Sequence, residues 1–360
     1  MSISRSSFRK ALVAAGAAGI VAAPLLAAPA AHAGTTATLE VIASGLKSPH
    51  GITVLSDGTV LVAEAGEGLP GCPEGQSCVG KTGAIYKVKG SFKGRVVTGL
   101  ASTGKGAAGG TQSDVTGPTD VLADPGGGYD VASGLGGTTA TRAALGPEAA
   151  TLGTVFRTRD GRILGDLTDH ETRLNPDGGE VHANPWSLTR SGGGFLVTDA
   201  GGNTLVRTAA KGATSTEFVV PTNATPSRVA EGVPTGIVTA PDGTVYFADM
   251  SGTVTGSARI WKIAPGGAPE VLVTGLSNLI DLAVDCHGNL LALSFTQGFQ
   301  AGPPLPGSIS KIDVKTKTVT EIPTGDQLNT PTGLATGPHG ALYVTNNSTG
   351  NDGQLVRVHY

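Results

Sequence analysis

The sequence predicts an all-β fold, a six-bladed β-propeller of four-stranded antiparallel blades, and three observations lead there. The first is a recurring pattern. It reads Ser48-Pro49-His50-Gly51-Ile52-Thr53-Val54 with Asp57-Gly58, Val233-Pro234-Thr235-Gly236-Ile237-Val238 with Asp242-Gly243, and Thr330-Pro331-Thr332-Gly333-Leu334 with His339-Gly340. Weaker copies start at Pro118, Pro185 and Leu279. A strand repeat of this length cannot bury its apolar faces alone, so copies stack, and four-strand units stack into a closed ring. The second observation is composition: 56 glycines and 4% aromatics suit many tight turns and small residues crowded near an axis. The third is that the two ends of the chain complement each other.

Taken in order, the inner strands are Gly51–Val54, Asp120–Ala123, Ser187–Thr189, Gly236–Thr239, Asp281–Val284 and Gly333–Thr336. The second strands are Val60–Glu64, Tyr129–Ser133, Phe195–Asp199, Val245–Asp249, Leu290–Ser294 and Ala341–Asn346. Each turn between them carries a glycine where a positive φ is wanted: Gly58, Gly127, Gly193, Gly243, Gly288 and Gly340. After the third strand of the last unit, Gln354–His359, the chain stops without a fourth. Leu39–Ala43 resembles the outer strands Arg95–Leu100 and Glu270–Leu276, so it is expected to complete the last blade and leave no open edge. Six blades is the count this gives, with seven the alternative, and Gly117–Leu152 is the least regular stretch.

The first 33 residues form a separate segment. Arg5, Arg9 and Lys10 precede an apolar run from Ala11 to Ala31, and Ala31-His32-Ala33 supplies a small-x-small cleavage pattern. This reads as a secretory signal, leaving residues 34–360 as one propeller domain outside the cytoplasm, with an uncleaved anchor as the alternative. No other segment is long and apolar enough to span a membrane. A net charge of −3, with no Lys/Arg stripe interleaved with aromatics, argues against nucleic acid as a partner. Cys72 and Cys78, close together in a Gly/Pro-rich loop, are expected to form a disulfide; Cys286, between a strand and a turn, is expected to be a packed free thiol.

In such blades the connections entering the inner strand and those after the second strand share one rim. The long ones all belong there: Ala65–Thr82, Ala101–Gly117, Gly134–Leu152, Asn175–Ala183 and Thr296–Pro306. Binding residues tend to sit on long loops held by a rigid scaffold, which makes this the candidate functional face. The plain reading of Ala101–Gly117 is a tolerated, mobile insertion.

Inner-strand starts on that rim offer His50, Asp120, Asn184, Thr235, Asp281 and Thr332, and second-strand ends offer Glu64, Ser133, Asp199, Asp249, Ser294 and Asn346. Carboxylates and amides around a narrow opening can hold a hard cation such as calcium, with Asp120, Asn184 and Asp281 the candidate ligands. His50, Asp120 and Asp281 are the candidate catalytic residues, His50 as base or ligand, and His182 lies on the same face. The competing reading is structural: Asp and Asn at strand ends satisfy free main-chain amides, and a ring repeats one solution. Asp120 and Asp281 stand where other repeats carry glycine, which that reading explains less easily. His287 and His339 fall in turns. There is no Gly-x-Ser-x-Gly elbow, no His-Glu-x-x-His helix and no phosphate-cradling loop.

Several segments together resemble the ScyD/ScyE family of exported six-bladed propellers. The resemblance is most specific in Leu152–Arg157, Asp166-Leu167, Glu171, Asn175-Pro176-Asp177-Gly178, Asn184-Pro185-Trp186 and Gly194–Asn203, continuing through Val233–Ile237, Ala258-Arg259-Ile260-Trp261 and Ile280–Ala283. It covers roughly the whole mature chain. Trp186 stands where that family usually has tyrosine, and Cys286-His287-Gly288 where Pro-Asp-Gly is usual. The resemblance implies architecture and export and brings no reaction with it; its general pattern is shared by NHL-repeat and gluconolactonase-type propellers. Two functions are therefore expected to compete. One is a binding or accessory protein whose loop-rich face, with Asn184, Trp186, Glu64, Asp199, Asp249 and Asn346, takes a small molecule, a glycan or an extracellular protein. The other is a calcium-assisted hydrolase or lactonase built on Asp120, Asp281, Asn184 and His50 around a central ion. A rigid spacer within a surface assembly is a third.

Overall fold

The computed structural model describes residues 36–108, 112–209, 211–224, 228–300 and 302–360; the expected signal segment lies outside them. Six antiparallel sheets form the blades of a ring. The first runs Pro49–Val54, Val60–Glu64, Ser77–Lys89 and Phe92–Gly106, with a fifth strand, Gln112–Thr116, on its outer edge. Blades two to five each have four strands in sequence order, with inner strands Pro118–Ala123, Pro185–Ser191, Pro234–Thr239 and Leu279–Val284. The sixth consists of Gly333–Thr336, Leu342–Asn346, Gly353–His359 and the N-terminal strand Thr38–Leu46. That last pairing sets Thr38 against His359 and Val41 against Val356, so the ring closes as the chain ends predict.

Two expectations about the loops change. Ala101–Gly117 is mostly ladder: Ser77 pairs with Lys105, and Thr103 pairs in turn with Thr116. Its glycines allow this where side chains would collide, since a Cβ on Gly106 would lie 2.2 Å from the Pro73 carbonyl oxygen. Cys286 is exposed because it sits in the tight turn Asp285–Asn289, where Asp285 Oδ1 accepts the His287 and Asn289 N–H groups and directs neighbouring side chains outward.

Proline opens four of the inner strands, where the first position tolerates loss of an N–H. Immediately after the first residue, five blades show a register shift: between Pro49 and Ile52, Pro118 and Asp120, Pro185 and Ser187, Pro234 and Ile237, and Leu279 and Asp281. Such bulges re-aim side chains. The threonine that follows the opening proline ties one blade to the next. Thr119, Thr235 and Thr332 each donate Oγ1 to the carbonyl of the first inner-strand residue of the following blade. These bonds stitch neighbouring blades at equal height.

The core lies between the blades and holds Leu61, Ile85, Phe247, Leu290 and Leu291, all fully buried. Burying such a side chain stabilises by about 1.5–3 kcal/mol each. Cys72 and Cys78 form a disulfide with Cα atoms 5.9 Å apart, tying the loop before the third strand of blade one to the start of that strand. Its short closed loop predicts that C72S/C78S unfolds at lower urea concentration, with a loss of about 2 kcal/mol. An unchanged midpoint would show that the Ser77–Lys89 ladder alone holds this loop.

Candidate functional site

Four second-strand ends share one local solution. Glu64, Asp199, Asp249 and Asn346 are buried and accept main-chain N–H groups from the segment that enters the inner strand of the same blade. Glu64 Oε1 receives Lys47 N at 2.7 Å, Asp199 Oδ1 receives Asn184 N at 2.6 Å, Asp249 Oδ1 receives Val233 N at 2.9 Å and Asn346 Oδ1 receives Asn329 N at 2.7 Å. Two carboxylates are also neutralised: Arg95 donates to both oxygens of Glu64, and Arg259 Nε donates to Asp249 Oδ2 at 2.8 Å. These residues latch the rim loops, and none of them lines the three chambers described next.

Asp120 and Asp281 line the central channel at the same inner-strand position of blades two and five. Asp120 Oδ2 accepts Ser187 Oγ at 2.7 Å and Leu188 N at 3.0 Å from blade three, and Asp281 Oδ2 accepts Leu334 N at 2.7 Å from blade six. On the other side, Gly51 and Gly236 make room for them: a Cβ at either would come within 2.4 Å and 2.3 Å of the respective Oδ1. Glycine in one blade is thus the counterpart of aspartate in the next. Burial pushes the Asp120 carboxyl up to about 6 and Asp281 well above the ordinary range, with Asp120 adding to the latter.

Two rim side chains meet near the channel axis. The His50 and Trp186 rings meet edge to face, centroids 5.0 Å apart, and Trp186 reaches the core cluster containing Ile280 and Leu334 of blades five and six. Below them a chamber of about 920 Å³ holds Asp120 and Asp281 and extends to the turns at Asp285–His287 and Gly337. Above them, on the loop-rich rim, lie two more. One of about 380 Å³ is bordered by His50, Lys105, Asp114, His182 and Asn184. The other, of about 670 Å³, has Trp186, Met250, Ile280, Phe295 and Phe299 on its apolar side and Asp177, Glu180, His182, Asn184, Asn203 and Glu231 on its polar side.

The four residues proposed for a single calcium site are not brought into one chamber: Asn184 and His50 line upper chambers and Asp120 and Asp281 line the lower one. Both aspartates also engage main-chain donors on each oxygen, Val121 N and Leu282 N taking the Oδ1 atoms. They do not fit a hard cation that needs six to eight oxygens. Among the described residues no group of three or more His, Cys, Asp or Glu side chains is disposed to hold a metal. Burial pushes the His50 imidazole down to about 4, and its Nδ1 has no hydrogen-bond partner, so it is neutral at physiological pH.

One acidic residue that the candidate set omits is Glu171, on the short helix Leu167–Leu174 that leads into blade three. It is 1% exposed, and neither carboxyl oxygen has a hydrogen-bond partner of normal geometry. Burial, with the Asp199 and Asp177 carboxylates adding to it, outweighs the nearby His182 main-chain N–H and pushes Glu171 up to about 7. Gly202 allows its approach, since a Cβ there would lie 2.7 Å from Glu171 Oε2. In the sequence only its place in the family-like segment marks it, because its burial comes from tertiary docking of the helix. Phe295 and Met250 left no signal, each being a non-repeating residue just past a strand end, and Phe299 was marked only by its place in the long loop Thr296–Pro306.

Ring and chambers together define a six-bladed β-propeller with ligand-sized space on its loop-rich rim. No family model and no curated protein matches the chain. Solved structures do match. The virginiamycin B lyase of Staphylococcus aureus, in a catalytically inactive variant with quinupristin, has a TM-score of 0.52 and 14% identity, covering 90% of this chain and 99% of that one. A luciferin-regenerating enzyme has a TM-score of 0.52 and 12% identity, covering 90% and 95%. A Bacteroides thetaiotaomicron protein of unknown function has a TM-score of 0.54 and 12% identity, covering 89% and 72%. At these identities the likeness is one of fold.

Proposed function

We propose that this chain is an exported binding or accessory propeller, of the ScyD/ScyE kind it resembles, that takes a small molecule in the larger rim chamber. The observation that supports this best is the chamber itself: about 670 Å³, an apolar side centred on Trp186, and polar groups facing it. The wall is pre-organised, with Asp177 held by Gly179 N at 2.8 Å and Asn203 Nδ2 at 2.8 Å. A disulfide, and the lack among the described residues of a helix able to cross a membrane, fit an extracytoplasmic protein. The lactonase reading loses support from the separation of its four residues into different chambers.

The test is a thermal-shift screen of soluble small molecules against the wild type, W186A and F299A. Compounds that raise the melting temperature of the wild type are expected to lose most of that effect in both variants, as mass action requires when a native-state site is removed. Hits indifferent to both substitutions would move the site elsewhere. Ring-opening assays on simple lactones, with and without calcium, are expected to give no turnover; calcium-dependent turnover would restore the hydrolase.

A further inference from the structure

Among the described residues that line the larger rim chamber there is no lysine and no arginine, while Asp177, Glu180 and Glu231 are there. Elsewhere in the ring acids are paired with arginine: Glu64 with Arg95, Asp130 with Arg157, Asp166 with Arg142, Asp249 with Arg259. The chamber's acids have no such partner lining it with them. We propose that its ligand is an organic cation with an apolar body, an amine or quaternary ammonium whose head sits between the Asp177 and Glu231 carboxylates and the aromatic side. This rests on the reading of the chamber as the binding site.

Two further features favour positive charge. Aromatic faces attract cations, most strongly when water is displaced, and Trp186, Phe295 and Phe299 supply three of them. Phe295 and Phe299 lie 6.4 Å apart with planes inclined by 33°, an open corner rather than a packed stack. Behind the Gly201-Gly202 segment of the wall stands Glu171, buried, without a well-formed hydrogen bond on either oxygen, and adjacent to Asp199. Glu171 is pushed up to about 7 by burial, so it adds negative charge behind the wall only above that pH. An anion of the same shape would meet the Asp177, Glu180 and Glu231 carboxylates at the wall, which is selection by repulsion.

The experiment compares matched probes by calorimetry and by tryptophan fluorescence, to which Trp186 contributes from the chamber while Trp261 is buried in blade four. Benzyltrimethylammonium is expected to bind at least about tenfold more tightly than benzyl alcohol, a difference of about 1.4 kcal/mol. Phenylmethanesulfonate is expected not to bind, and calcium chloride not to displace the cation beyond an ionic-strength control. D177N/E231Q should remove the preference for the cation over benzyl alcohol; E180Q/E231Q, which spares the loop bonds of Asp177, should reduce it. A neutral or anionic probe that binds as well as the cation, a preference that survives D177N/E231Q in a folded variant, or no binding of the cation would each overturn the assignment. If benzyl alcohol or the sulfonate binds at Trp186 and the cation does not, the chamber remains a binding site and only the charge class falls. If none binds, the charge class falls and the W186A screen decides the chamber separately.

Discussion

Replacing Asp249 by alanine is expected to destabilise the ring by about 3–5 kcal/mol, the range for breaking a buried ion pair from one side. Asp249 is fully buried, and both of its oxygens are engaged: Oδ1 by Val233 N and Ser251 N, Oδ2 by the Arg259 guanidinium. Alanine leaves the guanidinium, itself 7% exposed, with the Pro221 carbonyl and the Trp261 face as its partners among the described residues. Two N–H groups lose their acceptor as well. Adding R259M in the D249A background should recover part of the loss, because the uncompensated charge is removed. Urea unfolding of the three proteins measures this. A D249A variant within about 1 kcal/mol of the wild type would mean that the strand-end acid does not latch its loop, since a lost buried hydrogen bond alone costs about that much.

Stability is expected to fall as the pH rises from 5 to 8, against the common trend of loss toward acid. Asp120 is pushed up to about 6 and Asp281 further, both by burial, so the native chain binds more protons than the unfolded chain above the ordinary carboxylate pKa. Their contribution is complete below about pH 4 and is lost as the pH passes their native values. Glu171 and Asp199, raised to about 7 and about 6 by burial, act in the same direction. Lowered acids such as Asp242 and Asp313, held by main-chain donors at Thr244 and Thr316, lose stabilisation only toward acid. His50 and His170, both lowered by burial, work the other way up to the ordinary imidazole value, but the four raised acids outnumber them. The maximum therefore falls at about pH 4, and the Asp120 shift alone corresponds to about 2–3 kcal/mol by pH 8. D120N/D281N should flatten the decline. A urea midpoint that is level or rises between pH 5 and 8 in the wild type would contradict the picture of carboxyls held neutral between the blades.

The ring was legible because its turn glycines and Pro-Thr-Gly-like openings recur often enough to be aligned, and its closure because the two end strands complement each other. The two-residue step that matters most at the site was not. Trp186 and Ser187 are neighbours that any alignment keeps together, yet across the register shift after Pro185 the first lines the rim chambers and the second the lower one. Asp120 and Asp281 stood out correctly as departures from glycine, but their reason lies in another blade, in the space left by Gly51 and Gly236. The extension of Ser77–Lys89 and Phe92–Gly106 into a long ribbon was hidden for a related cause: glycine-rich composition reads as loop, although here it lets two backbones pass closely.

The pairing of Thr38–Leu46 with Gly353–His359 has a consequence for biogenesis. Contacts so distant along the polypeptide are slow to form, because nearly the entire chain has to be looped before they are rewarded. During vectorial synthesis the sixth sheet must wait for its C-terminal partner while the other five can already assemble. A precursor arrested before Gly353 would therefore expose an unsatisfied apolar seam on both flanks, the kind of surface that chaperones and proteases recognise.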